Sequence, residues 1–101
     1  MRVIVFFDLP TLTNSDKRNY RKFRKNLIKN GFLMMQESVY CRMLMSPSAA
    51  HSVIEAIKHF KPPTGTVQAL TITEKQFAEM EYIVGEEKRE VIDSAEGLVI
   101  L

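Results

Sequence analysis

The chain has 101 residues, 46% of them hydrophobic, with a formal net charge of +2 and a single cysteine. That length points to one domain, and a chain this short buries only about two-thirds of its unfolded surface, which leaves apolar faces for a second copy to cover. One cysteine excludes an internal disulfide, no apolar run approaches the roughly 20 residues of a membrane span, and the short N-terminal apolar run lacks a small-residue cleavage pattern, so the expectation is a cytoplasmic protein without membrane association.

Val3 to Phe7 is apolar on both faces and predicts a central strand covered on both sides. It delivers Asp8 to the rim of a sheet. Leu9 stands before Pro10, which disfavours helix there. Thr11, Thr13, Asn14 and Ser15 then form a polar loop rich in capping residues. A helix follows from about Ser15 to Asn30, with Tyr20, Phe23 and Leu27 recurring at steps of three and four and Ile28 widening the stripe. Asn30-Gly31 is its stop. Residues 15–30 carry seven basic side chains (Lys17, Arg18, Arg21, Lys22, Arg24, Lys25, Lys29) against Asp16 alone, whereas residues 74–96 carry eight acids against three bases. A concentrated basic face suits a polyanionic partner, and a solvated helix face carries the same pattern.

Phe32 to Met45 is rich in strand formers and divides into a short strand near Phe32–Met35 and a longer one near Glu37–Met45. In the second, Val39, Cys41 and Met43 share one face and Tyr40, Arg42 and Leu44 the other. Ser46-Pro47 opens a second helix that runs to about Phe60, with Ala50, Val53, Ile57 and Phe60 on one side. Lys58 and His59 sit near its negative end. His51 and His59 lack metal-ligand spacing and read as surface residues. Pro62-Pro63 ends the helix, Gly65 turns the chain, and Thr66–Thr73 is a fourth strand.

The order strand, helix, strand, strand, helix, strand predicts an α+β, ferredoxin-like (split βαβ) sandwich with an antiparallel sheet and both helices on one face. A helical turn near Glu74–Met80, an apolar piece at Tyr82–Val84 and a closing Leu98–Leu101 remain. The segment 81–101 either adds a strand to its own sheet or bridges to a second copy. Bridging is preferred, because two exposed sheets can hide each other and the tails can close the edges.

Three stretches together resemble one family: Val3–Phe7 ending in Asp8, Gly31 followed by Gln36-Glu37-Ser38-Val39-Tyr40, and Leu70–Phe77. The chain resembles the Cas-two family of CRISPR-associated proteins, the smaller of the two core components of spacer acquisition, and its tail beyond Gly85 resembles the form that accompanies type II systems. The resemblance implies a ferredoxin-like homodimer with Asp8 of each subunit near the dimer axis. It implies endonuclease activity on RNA or double-stranded DNA, dependent on Mg2+ or another divalent cation such as Mn2+. It also implies a scaffold that holds DNA and bridges copies of the Cas-one integrase. Gln36, Ser38 and Tyr40 are its motif positions. Phe7 stands where many members carry tyrosine, and Tyr40 where phenylalanine is common.

Asp8 is therefore the candidate catalytic and metal-binding residue, shared with Asp8 of a second subunit. One carboxylate is a poor magnesium site, but magnesium keeps several waters, so two carboxylates and a phosphate suffice. The alternative is a strand-end carboxylate accepting hydrogen bonds from loop amides around Thr11–Thr13. No histidine base and no second acid at helical spacing accompany it. Lys17, Arg18, Arg21, Lys25 and Arg42 are candidate phosphate contacts, which position nucleic acid without reading its sequence. Tyr20 and Phe23 are expected to pack inward. Two further readings remain open: a non-catalytic DNA-binding adaptor, and a toxin-like ribonuclease of the same fold. An RNA-recognition module is disfavoured, because Glu37–Met45 lacks its aromatic strand pattern.

Overall fold

The computed structural model describes residues 1–87. In chain order it contains β1 (Arg2–Asp8), α1 (Asn14–Lys29), β2 (Leu33–Gln36), β3 (Val39–Met43), α2 (Pro47–His59), β4 (Thr66–Ile72) and α3 (Glu74–Ala78). The strands form one antiparallel sheet in the order β2-β3-β1-β4, so β1 is central, as its apolar run requires. This is the expected ferredoxin-like arrangement.

Strand alternation divides β1 between two environments. Val3, Val5 and Phe7 face the helices and are at most 5% exposed. Ile4, on the other face, is also buried, but Phe6 is 36% exposed and Asp8 is exposed. The expectation of a strand covered on both sides thus holds over Val3–Val5 and fails from Phe6 onward, because nothing within the described residues lies over that end of the second face.

The helices begin and end as their sequences dictate. Thr13 caps α1: its hydroxyl accepts from the Asp16 amide at 3.0 Å, and the Asp16 carboxylate accepts from the Thr13 amide at 3.1 Å. At the other end Gly31 takes a left-handed φ of 85°. There the Gly31 amide donates to Ile28 and the Phe32 amide to Leu27, closing the last turn and turning Phe32 into the core. Ser46 caps α2 through the Ala49 amide at 3.1 Å, with Pro47 in the first turn.

Phe7 is the centre of the core. Its ring lies 5.1 Å from Phe23 edge-on, 5.7 Å from Tyr20, and 5.7 Å from Tyr40 at an interplanar angle of 27°. Leu27, Phe32, Leu44, Ala50 and Ile57 complete the cluster between sheet and helices. Cys41 points to the other face and is buried there. On that face Phe6, Leu33, Met43 and Leu70 are between 36% and 57% exposed. One corner of it is covered by α3: Arg2 lies 3.8 Å above the Phe77 ring and donates from Nε to both Glu74 oxygens at 3.1 Å.

Residues 81–87 form no helix or strand. The bridging role expected of 81–101, and the strand expected at Leu98–Leu101, fall outside the described residues from 88 onward.

Candidate active site and nucleic-acid interface

Asp8 is the last residue of β1 and stands opposite Thr66 of β4. Its parity puts it on the open face with Phe6. The strand end that carries it is held from both sides. On one side the Phe7 amide donates to the Ser38 carbonyl at 3.1 Å. On the other, Gly65 lies so close that a Cβ there would sit 2.7 Å from the Asp8 carbonyl oxygen and 2.7 Å from Leu9 Cδ2. Gly65 also has a φ of +93°, so this approach needs glycine twice over. The side chain, in contrast, is solvent-exposed, and among the described residues no hydrogen bond or ion pair engages its carboxylate. The Thr13 amide, one of the donors considered for Asp8, is taken by Asp16.

The motif residues have structural work around this strand end. Ser38 closes the tight β2–β3 turn with a left-handed φ of 65°, and its hydroxyl pairs with that of Tyr20 at 3.2 Å. Gln36 is exposed and pairs with Val39 across an irregularity that follows Met34. Tyr40 is 1% exposed and stacks on Phe7. Sequence reasoning misses the role of Ser38 and the approach of Gly65 to Asp8; the one signal for either is a serine and a glycine standing at turns.

Lys17, Arg18, Arg21 and Lys25 are all exposed on α1, away from its buried Phe23–Leu27 stripe. Arg18, Arg21 and Lys25 share a face through their spacing of three and four. Among the described residues the ion pairs are Met1–Glu74, Arg2–Glu74 and Lys58–Glu55, so these four cations carry no acidic partner there. They belong to the helix layer, whereas Asp8 opens on the other side of the sheet, so one chain does not bring them together with Asp8. Arg42 differs from the other four. It is half-buried and donates from Nη1 to the Asn30 carbonyl at 2.7 Å, with its side chain packed against Gly31. Its charge is already engaged with the negative end of α1.

Among the described residues no three His, Cys, Asp or Glu side chains cluster as metal ligands. Asp8 supplies one free carboxylate per chain. That set fits a hydrated divalent ion only as half of a symmetric site.

A four-stranded antiparallel sheet backed by two helices on one face, with an exposed acid at the end of its central strand, defines a ferredoxin-like α+β protein. The family model described as CRISPR associated protein Cas2 matches residues 1–80, and the chain belongs to that family. It is 50% identical over its full length to a Treponema denticola protein named CRISPR-associated endoribonuclease Cas2, with the whole of both chains covered. A Lacticaseibacillus rhamnosus protein of the same name is 46% identical, again over the whole of both chains. Among solved structures, Streptococcus pyogenes Cas2 at pH 6.5 superposes with a TM-score of 0.63 over 83% of this chain and 100% of that one, at 18% identity, and so supports the fold. The family expected from the three sequence stretches is the family found, and the nuclease class goes with it. No helix among the described residues is long and apolar enough to cross a membrane.

Proposed function

We propose that a homodimer of this chain is a metal-dependent endoribonuclease whose reactive site forms where two Asp8 carboxylates meet across facing sheets. The observation that carries this reading is Asp8 itself: Ser38 holds the strand at Phe7 just before it and Gly65 lies against its backbone, while its side chain is exposed and unpartnered on the sheet's open face. The open face supports the dimer, because covering the half-exposed side chains of Leu33, Met43 and Leu70 contributes roughly 1 kcal/mol each, about half the value for a fully exposed side chain. RNA as substrate follows the names of the relatives. The paired carboxylates would hold Mg2+ or Mn2+, which when bound supplies a Lewis acid for a phosphoryl oxygen and lowers the pKa of a coordinated water. The cytoplasm is the compartment consistent with this chemistry.

The cations of α1 support a second role, a scaffold for double-stranded DNA that docks the Cas-one integrase. Arg18 and Arg21 can each grip a phosphate through two parallel hydrogen bonds, and such contacts are indifferent to sequence. That suits a protein that must accept any incoming DNA.

Asp8→Ala is expected to abolish magnesium-dependent RNA cleavage while leaving nucleic-acid binding intact. Undiminished cleavage by the rigorously purified variant removes Asp8 from the site. Arg18→Glu with Arg21→Glu should weaken DNA binding and flatten its salt dependence by about 0.9 log unit for each phosphate no longer neutralised. An unchanged slope removes α1 from the interface.

A further inference from the structure

Between the middle of α1 and the loop that leaves α2 lies an open cleft of about 280 Å3. Its rim carries three basic side chains, Lys22 from α1, His59 at the end of α2 and Lys61 in the loop beyond it, all exposed. Its wall is Phe60 with Pro62 and Pro63. Phe60 is half-buried and braced 5.7 Å from the Phe23 ring, so its position is set by the core. Among the described residues no acid lines the cleft. Glu55, one turn back on α2, is bound to Lys58 at 2.6 Å. Lys22 lies four residues from Arg18 and three from Lys25, so the cleft adjoins the Arg18–Arg21–Lys25 face and extends it toward the end of α2.

We propose that this cleft seats a single nucleotide unit of a nucleic acid, with the phosphate on Lys22 and Lys61 and the base or sugar against Phe60 and the proline pair. A free phosphate would need only the cations. The aromatic ring and the two rigid apolar rings beside them match the other half of a nucleotide, because stacking on an aromatic face tolerates every base. Concave walls of one sign concentrate an anionic ligand. The volume lies just below the usual range for ligand sites, on the order of 300–1,000 Å3, which fits one unit rather than two.

The location deepens the proposed nuclease role and rests on that reading. The loop forming the proline wall continues directly to Gly65, which lies against the Asp8 backbone. Three residues separate Lys61 from Gly65, a span of at most roughly 14 Å. The cleft is thus at the same end of the sheet as Asp8, where a held nucleotide would fix the path of the strand over the rim.

Amide NMR of the full chain in EDTA, titrated separately with uridine monophosphate, uridine and inorganic phosphate, tests the assignment. The monophosphate should shift the amides of Lys22, Phe60 and Lys61 saturably, and more tightly than either fragment. Lys22→Ala with Lys61→Ala should weaken it about tenfold or more, since the charge-assisted hydrogen bonds to phosphate are removed. Phe60→Leu, which keeps an apolar side chain against Phe23, should weaken the monophosphate but not inorganic phosphate. Inorganic phosphate binding as tightly as the monophosphate overturns the proposal, as do shifts confined to Arg18, Arg21 and Lys25 or a double variant that binds normally. Because EDTA removes metal from the measurement, the two readings fail separately. Cleavage surviving Asp8→Ala sinks the active-site reading and leaves the cleft. Loss of cleavage in Asp8→Ala alongside a silent cleft sinks only the cleft.

Discussion

The two faces of the sheet are built from the same strands and do different work. On the helix side Val3, Val5, Phe7, Tyr40 and Leu44 are sealed under α1 and α2, every one below a tenth exposed. On the other side Ile4 and Cys41 are buried by their neighbours, but Phe6, Leu33, Met43 and Leu70 remain 36–57% exposed. Stability of the single chain is concentrated in the first face. The second carries apolar surface that the described residues leave uncovered, and at its edge stands the free carboxylate of Asp8. The proposed function is thus placed where packing stops.

Substitution on the two faces should break this comparison most visibly. Phe7→Ala and Phe23→Ala are each expected to cost about 3–5 kcal/mol in urea unfolding, by removing a ring from a close-packed cluster. Leu70→Ala in dilute protein should stay within about 0.5 kcal/mol, whereas Leu70→Glu should reduce the mass measured by light scattering if the open faces pair. Equal destabilisation on both faces would end the distinction.

Gly65→Ala comes next. It forces a left-handed φ onto an alanine and a methyl group into the Asp8 backbone, at a cost of roughly 1–3 kcal/mol. The same variant should lower nuclease activity beyond what its stability explains, since the loop must move away from Asp8. Activity kept at wild-type levels in the folded fraction would mean that Gly65 serves the turn alone.

Arg42→Ala should cost about 1–2 kcal/mol, because the Asn30 carbonyl at the end of α1 then has no guanidinium donating to it. Arg18→Ala, without a partner among the described residues, should change stability by no more than about 0.5 kcal/mol. The pair separates a structural cation from a surface one.

The smallest effect concerns Cys41. Burial pushes its thiol up, only partly opposed by the Arg2 guanidinium. The folded state therefore keeps the proton to higher pH than the unfolded chain does. The stability this provides is complete below the unfolded thiol value of about 8.5 and is lost as pH rises through the folded one. Unfolding midpoints at mildly alkaline pH should fall for the wild type and fall less for Cys41→Ala.

Much of the fold is legible in the residues alone. Periodicity and punctuation locate every element within a few residues, because the Tyr20–Phe23–Leu27 stripe, the Asn30-Gly31 stop and the Ser46-Pro47 start are local signals. The boundary errors sit where tertiary structure decides. β3 begins at Val39 rather than Glu37, since Glu37 and Ser38 are used by the turn. Strand parity alone sets Asp8 apart from the helix layer, since it shares the register of Ile4 and Phe6. What no local pattern contains is the meeting of distant segments: Arg42 reaching the end of α1, Gly65 lying on Asp8, and Lys22 facing Lys61 across a cleft.

The aromatic cluster has a practical side. The chain has no tryptophan, and its three tyrosines are Tyr20, Tyr40 and Tyr82. Two of them flank Phe7, with Tyr40 sealed, while Tyr82 is 47% exposed beyond α3. The intrinsic ultraviolet signal is therefore largely a native reporter of core integrity. Selective nitration would enter at Tyr82, giving an optical tag on the segment that leads out of the sheet without any engineered label.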